Sequence, residues 1–209
     1  RPLSNSLGDR SRIESIIKTK DDSAHTFIAE GDAHLDTTTS ALGGSSVALD
    51  GSGDWVDVSN GPNLEFGTGD FSIDFRIKMN QIATSRIFEL GDFNSGKGIY
   101  VNYAAGGGGS DIIVNGGGGW ASWTPAAGVW QHIAITRTGN VFRFFVDGIL
   151  KGSFANSADI SNLTQGLRIG SHNWVTNYSF NGGMDEFIIS NTADPIYSFP
   201  LHGRKKSFS

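Results

Sequence analysis

The 209-residue chain contains no cysteine, which removes disulfide scaffolds, thiol catalysis, iron–sulfur clusters and Cys-bound zinc at once. It also lacks a basic excess. Sixteen Lys and Arg face 21 Asp and Glu, a formal net charge of -5, which excludes a nucleic-acid binder working by bulk charge. Charged residues are only 18% of the chain, too few for a coiled coil or for disorder driven by charge. No run of 18 apolar residues occurs, so no membrane insertion is expected. The chain opens on Arg1 rather than Met, which reads as a native start that is trimmed, cleaved or absent from this sequence, and no signal peptide is expected in it. Proline is scarce at five residues, whereas glycine reaches 29, about twice its usual share. That balance predicts a β-protein with many tight turns. The length suits one all-β domain, which can bury about 70% of the surface of its open chain without staples.

Residues 1–24 read as an N-terminal arm. Ile13, Ile16 and Ile17 fall at i, i+3 and i+4, and Ser11 with Glu14 has capping-box spacing. This predicts a short helix over 10–18, marginal alone, in an arm that is either frayed or docked on a partner subunit. From residue 25 the period becomes two. Phe71, Ile73, Phe75 and Ile77 alternate with Ser72, Asp74, Arg76 and Lys78, a half-buried strand. Residues 130–137 and 141–146 read as two further strands, and Asp147-Gly148 then supplies a type I′ hairpin loop, making an antiparallel meander. Short strands are also expected at 46–49, 55–58, 86–90, 98–103, 111–115, 150–154, 166–170 and 180–190. The predicted fold is a two-sheet antiparallel β-sandwich over 25–192, followed by a C-terminal segment, 193–209. Two glycine runs, 106–109 and 116–119, precede no helix, so they read as flexible hairpin ends rather than a phosphate cradle.

Four segments carry a resemblance. They are 45–58, with Asp50-Gly51 and Trp55; 66–77, with Gly69-Asp70-Phe71; 128–148, from Trp130 to Asp147-Gly148; and 167–190, with Leu167-Arg168-Ile169-Gly170 and Met184-Asp185-Glu186-Phe187. In this order and spacing the chain resembles the laminin-G-like, concanavalin-A-like jelly-roll family. The stretch 25–33 is similar to versions of this domain in tailed-phage virion proteins. Asp74 and Arg76 depart from the Glu and Trp often found in the family at those positions. The family's opening apolar strand is not found in 1–24, and residues 196–201 are expected to supply a sheet edge instead, where Pro200 suits only an edge.

The resemblance implies a non-catalytic binding or structural module on a virion surface, a capsid decoration or tail-fibre domain, oligomeric within its assembly. The N-terminal arm would contact virion subunits, and the sandwich would meet host-surface glycans. The alternative is a carbohydrate-binding module of a secreted glycan-active protein. It also implies a structural Ca2+ joining Asp50 to Asp185; without an ion, Asp50 reads as an ordinary turn opener and Asp185 as a strand cap. Glycan hydrolases share this fold, but no Glu-x-Asp-x-x-Glu run is present and Asp185-Glu186 point to opposite faces, so no catalytic residues are expected. Sugar rings stack on exposed aromatics. The candidates for ligand binding are Trp120, Trp123, Trp174 and Tyr178, with His172 and Asn173 beside them, whereas Trp55 and Trp130 read as core. The basic run Arg204-Lys205-Lys206 reads as a solvated tail or a contact for an acidic neighbour subunit.

Overall fold

A computed structural model describes residues 17–19, 25–92, 96–173 and 178–193. Its strands, in chain order, are β1 Ile17–Thr19, β2 Phe27–Glu30, β3 His34–Asp36, β4 Ser46–Asp50, β5 Trp55–Val58, β6 Phe71–Met79, β7 Ser85–Asp92 and β8 Lys97–Ala104. They continue with β9 Gly109–Val114, β10 Gly117–Ser122, β11 Trp130–Thr138, β12 Val141–Val146, β13 Ile149–Ala155, β14 Leu167–Ile169 and β15 Asn181–Ser190. A single 3₁₀ turn, Pro62–Leu64, precedes β6, and no α-helix occurs among the described residues.

Two sheets form the sandwich. One has eight strands in the order β13-β12-β11-β6-β15-β4-β3, with β1 paired to β15; the other has seven, β10-β9-β8-β7-β14-β5-β2. All pairs are antiparallel except β1 with β15, which is parallel. The sandwich architecture expected from the alternation is thus the observed one. Phe71, Ile73, Phe75, Ile77 and Met79 of β6 are buried, while Arg76 and Lys78 between them are half-exposed on the outer side. Asp147 (φ +49°) and Gly148 (φ +77°) take the two positive φ values of a type I′ loop between β12 and β13.

Phe75 and Phe187 of the larger sheet stack at 5.2 Å, and Phe88 of the smaller meets them edge-on at 5.9 and 5.6 Å. This trio joins the layers. A second joint corrects the sequence reading of Trp123. It is 4% exposed, between Tyr103 at 5.5 Å and Phe144 at 6.0 Å, because the inward alternation of β10 runs one step past the strand end through Ala121 to Trp123. Trp123 is therefore core and offers no surface to a ligand.

Two other expectations change, and two cannot be compared. Residues 17 and 18, the end of the helix expected over 10–18, belong instead to the strand Ile17–Thr19, which lies beside Phe187–Ile189 of β15. The rest of the arm and the proposed edge strand at 196–201 fall outside the described residues. The glycine runs are more than hairpin ends. Gly109 opens β9 and Gly117 to Gly119 form half of β10, where a Cβ on Gly119 would run into the ring of Phe154. Close approach of β10 to β13 across the sandwich edge is what excludes a side chain there.

Candidate functional site

Register across the seven-stranded sheet places one row of side chains on its outer face. Ile113 of β9, Tyr100 of β8, Glu89 of β7, Arg168 of β14, Asp57 of β5 and Ile28 of β2 are successive cross-strand partners. Their chain neighbours Phe88, Leu90, Leu167, Ile169, Val56 and Val58 are buried on the other side. The outer row is thus polar and aromatic because strand alternation separates it from the core.

Two ionic groups occupy its centre. Arg168 donates from Nε to Asp57 Oδ1 at 2.7 Å and from Nη2 to Oδ2 at 2.8 Å, a bidentate pair. Trp55 Nε1 donates to the same carboxylate at 2.9 Å, and the Arg168 guanidinium lies 4.5 Å from the Trp55 ring centre. Trp55 and Trp130, expected in the core, are both half-buried on outer faces, the latter with Lys78 Nζ 5.4 Å from its ring. The second group is deeper. Glu89 is 1% exposed, with Arg86 Nε at 3.6 Å and His172 Nδ1 at 4.0 Å, and Asn173 Nδ2 donates to its Oε1 at 3.1 Å. The Arg86 guanidinium sits 3.8 Å from the Tyr100 ring centre. Burial, with Arg86 next in effect, holds the His172 imidazole below its ordinary pKa; burial likewise raises the Tyr100 phenol.

The connection after β14 brings predicted residues here. His172 is buried, its carbonyl accepting from Arg168 Nη1 at 3.3 Å; Asn173 reaches Glu89 and the Gly91 carbonyl. A depression of about 230 Å³ is lined by Asp57, Gln165, Gly166, Leu167, Arg168 and Asn173. Tyr178 is exposed, and its carbonyl accepts the Arg86 N–H at 2.7 Å. Trp174 lies outside the described residues. Trp120 is exposed on β10, at the far edge of the same sheet. The charged centre was missed in the sequence, though Arg86-Ile87-Phe88-Glu89-Leu90 and Leu167-Arg168-Ile169 announce charges within apolar strands.

The predicted metal pair does not converge. Asp50 faces Asn181 across the β4–β15 ladder, and Asp185 is four residues further along β15, about 13 Å away by strand rise. Asp185, 1% exposed, spends its oxygens on the Ala41, Leu42 and Glu186 N–H groups at 2.8, 2.9 and 2.8 Å, pinning the β3–β4 loop; Asp50 Oδ1 accepts the Ser52 N–H at 2.6 Å as a turn residue does. A different set converges. Carboxylate oxygens of Asp32, Asp50 and Asp54 lie within 4.8 Å of one another. Asp54 is buried, accepts the Asp32 and Asp50 N–H groups at 2.9 and 2.8 Å, and has its pKa raised by that burial. Three carboxylates on tight turns fit a hard, oxygen-seeking cation such as Ca2+.

Two antiparallel sheets packed face to face in this strand order define a jelly-roll sandwich. The chain belongs to the concanavalin A-like lectin/glucanases superfamily, whose family model matches residues 50–193. No curated protein matches it in sequence. Among solved structures it is similar to domain 4 of AbnA, a GH43 extracellular arabinanase from Geobacillus stearothermophilus, in complex with arabinotriose. The identity there is 15% and the TM-score 0.63, over 83% of this chain and 85% of that one. It is also similar to the binding domain of Paraclostridial Mosquitocidal Protein 1 (15% identity, TM-score 0.63, 83% of this chain). The botulinum neurotoxin serotype G binding domain gives 14% identity and a TM-score of 0.65 over 86% of this chain. The chain spans 46% of each of these two toxin domains.

Proposed function

We propose that this chain is a non-catalytic carbohydrate-binding module that uses the outer face of its seven-stranded sheet. The observation that carries the reading is the Trp55–Asp57–Arg168 group, an aromatic ring and a fixed hydrogen-bonding fork on a sheet face that no third layer covers among the described residues. Its carboxylates support binding over hydrolysis. Both Asp57 oxygens are engaged by Arg168 and Trp55, and Glu89 is enclosed by Arg86, His172 and Asn173, so neither is placed to hand a proton to a glycosidic oxygen. The arabinanase and toxin binding domains, similar in fold, favour the same class of role.

The setting we propose is a virion surface, with the domain decorating a phage head or fibre, residues 1–24 contacting virion subunits and the sandwich meeting host glycans. The likeness of 25–33 to tailed-phage virion proteins supports it. A second setting, a module of a secreted glycan-active protein, is favoured by the fold of AbnA domain 4. In either, Asp32, Asp50 and Asp54 would hold a structural Ca2+, which would cancel their mutual repulsion and lock the β2–β3 and β4–β5 turns together. A glycan array probed with the purified chain tests the binding role: we expect selective binding, weakened by Arg168→Ala, and an array without signal refutes it. Immunogold labelling of phage particles with an antibody to this chain decides the setting, with labelled particles expected and unlabelled ones leaving the secreted alternative.

A further inference from the structure

Trp120 stands on β10, the edge strand of the seven-stranded sheet, with 40% of its surface exposed. Its indole has a built seat. The ring leans over the bare backbone of two glycines: a Cβ added at Gly107 would fall 2.5 Å from indole Cη2, and one at Gly109 would fall 2.6 Å from Cζ2. Such approaches are closed to any residue with a side chain, so glycine at both positions lets the ring settle onto the sheet. Gly109 is buried beneath it, although it lies on the outer face of an edge hairpin. One side of the ring is thus occupied, and the exposed surface belongs to the other.

Register decides what stands beside the ring. Trp120 is paired with Asp111, and Asp111 with Asn102, so alternation puts all three side chains on the outer face. Opposed Cβ atoms on neighbouring antiparallel strands are about 5 Å apart, which places a carboxylate and an amide within about 10 Å of the indole. Asp111 and Asn102 are half-exposed, and the exposed Ser122 faces Gly109. A hexopyranose offers one face of C–H groups and a rim of hydroxyls. An immobilised indole suits the first, and a carboxylate acceptor with an amide donor suits the second.

We infer that Trp120 is the stacking platform of a carbohydrate subsite, with Asp111 and Asn102 taking the hydroxyls of the stacked ring. This rests on the reading of the chain as a glycan-binding module, and it adds a subsite at the β10 edge, on the same sheet as the Trp55–Arg168 group. It also selects the sugar. A uronic acid would bring a second carboxylate against Asp111, so the ligand is a neutral hexopyranose.

The test is titration of the full chain with cellohexaose, mannohexaose and, as acidic comparator, a hexagalacturonate, followed through the five indole N–H signals by NMR. The Trp120 signal is expected to shift with a neutral hexasaccharide, and hexagalacturonate to bind at least tenfold more weakly. Trp120→Ala should weaken neutral-sugar binding at least tenfold with an unchanged melting temperature. Gly107→Ala, which keeps the indole but removes its seat, should do the same. Binding unchanged in both variants overturns the platform while leaving the glycan-binding reading in place. A fall in melting temperature with unchanged binding makes the indole a cover for the glycine hairpin, and likewise overturns it. A wild-type chain that binds neither these sugars nor any array glycan overturns the platform together with the reading beneath it.

Discussion

The guanidinium of Arg168 lies 4.5 Å from the ring centre of Trp55, and both groups converge on one carboxylate, Asp57. Three strand residues thus hold each other in a single conformation on an outer sheet face. A side chain so fixed loses little rotamer freedom on meeting a ligand, which is what makes the group suited to recognition.

Replacing Arg168 with Ala should therefore affect binding more than folding. Its side chain is 18% exposed and that of Asp57 34%, so solvent screens the pair and its contribution to stability is about 1 kcal/mol or less. A chain of this size should lose roughly 2–4 °C in Tm per kcal/mol. Arg168→Lys, which keeps the charge but loses the planar fork, should behave like Arg168→Ala in glycan binding. Retention of binding by the Lys variant would show that charge alone matters.

Arg137 presents the opposite case. It is fully buried on the core side of β11, with Nε donating to the Gly139 carbonyl at 2.9 Å and Nη1 to the Gly67 and Ala158 carbonyls at 3.2 and 2.9 Å. One guanidinium ties together the β5–β6 connection, the β11–β12 turn and the segment after β13. Neither Met nor Lys can reach three carbonyls in three directions. Arg137→Met and Arg137→Lys should each cost about 3–5 kcal/mol, read as a lower urea midpoint at constant slope. A loss under 1 kcal/mol in both variants would mean that the loops hold themselves.

Much of this was legible in the chain, and the exceptions have physical causes. The period of Phe71 to Met79 and the Asp147-Gly148 turn are local, and local signals survived folding. Trp55 was misplaced although its own strand was informative: in Trp55-Val56-Asp57-Val58 the indole shares a face with Asp57 and opposes the two buried valines. The hydrophobicity of the indole points inward, whereas its place in the alternation points outward. Asp185 was misassigned for a non-local reason. The register of β15 shifts between Asp185 and Ile188, with Glu186 at φ +49°, and no pattern in the sequence announces which loop that bulge will meet. The Asp32–Asp50–Asp54 cluster likewise needs β2 and β5 to pair before it exists.

Trp123 and Trp120 lie three residues apart and should respond differently. Trp123, wedged between Tyr103 and Phe144, donates from Nε1 to Gln131 Oε1 at 3.3 Å. Trp123→Ala opens a core cavity and should cost about 3–5 kcal/mol. Chemical denaturation checks this, and a loss below 1 kcal/mol would put the residue back on the surface.

Asp54 carries the last prediction, and its sign follows from burial. Burial raises its folded-state pKa above the ordinary carboxylate value, with two backbone N–H groups opposing the shift. The native chain therefore disfavours the ionised form. That cost is present above the folded pKa, and it fades as pH falls through that value towards the unfolded one. A divalent cation bound by Asp32, Asp50 and Asp54 would remove the same cost at neutral pH by meeting the charge directly. Millimolar Ca2+ should then raise Tm at pH 7.5, and a chelator should reverse the gain. The gain should shrink on mild acidification, as protons compete for the site, and should vanish in Asp32→Asn/Asp50→Asn. Scanning fluorimetry with Ca2+ or chelator across that pH range checks all three arms. Superimposable melting curves at pH 7.5 would leave the carboxylates as hydrogen-bond acceptors for their own turns.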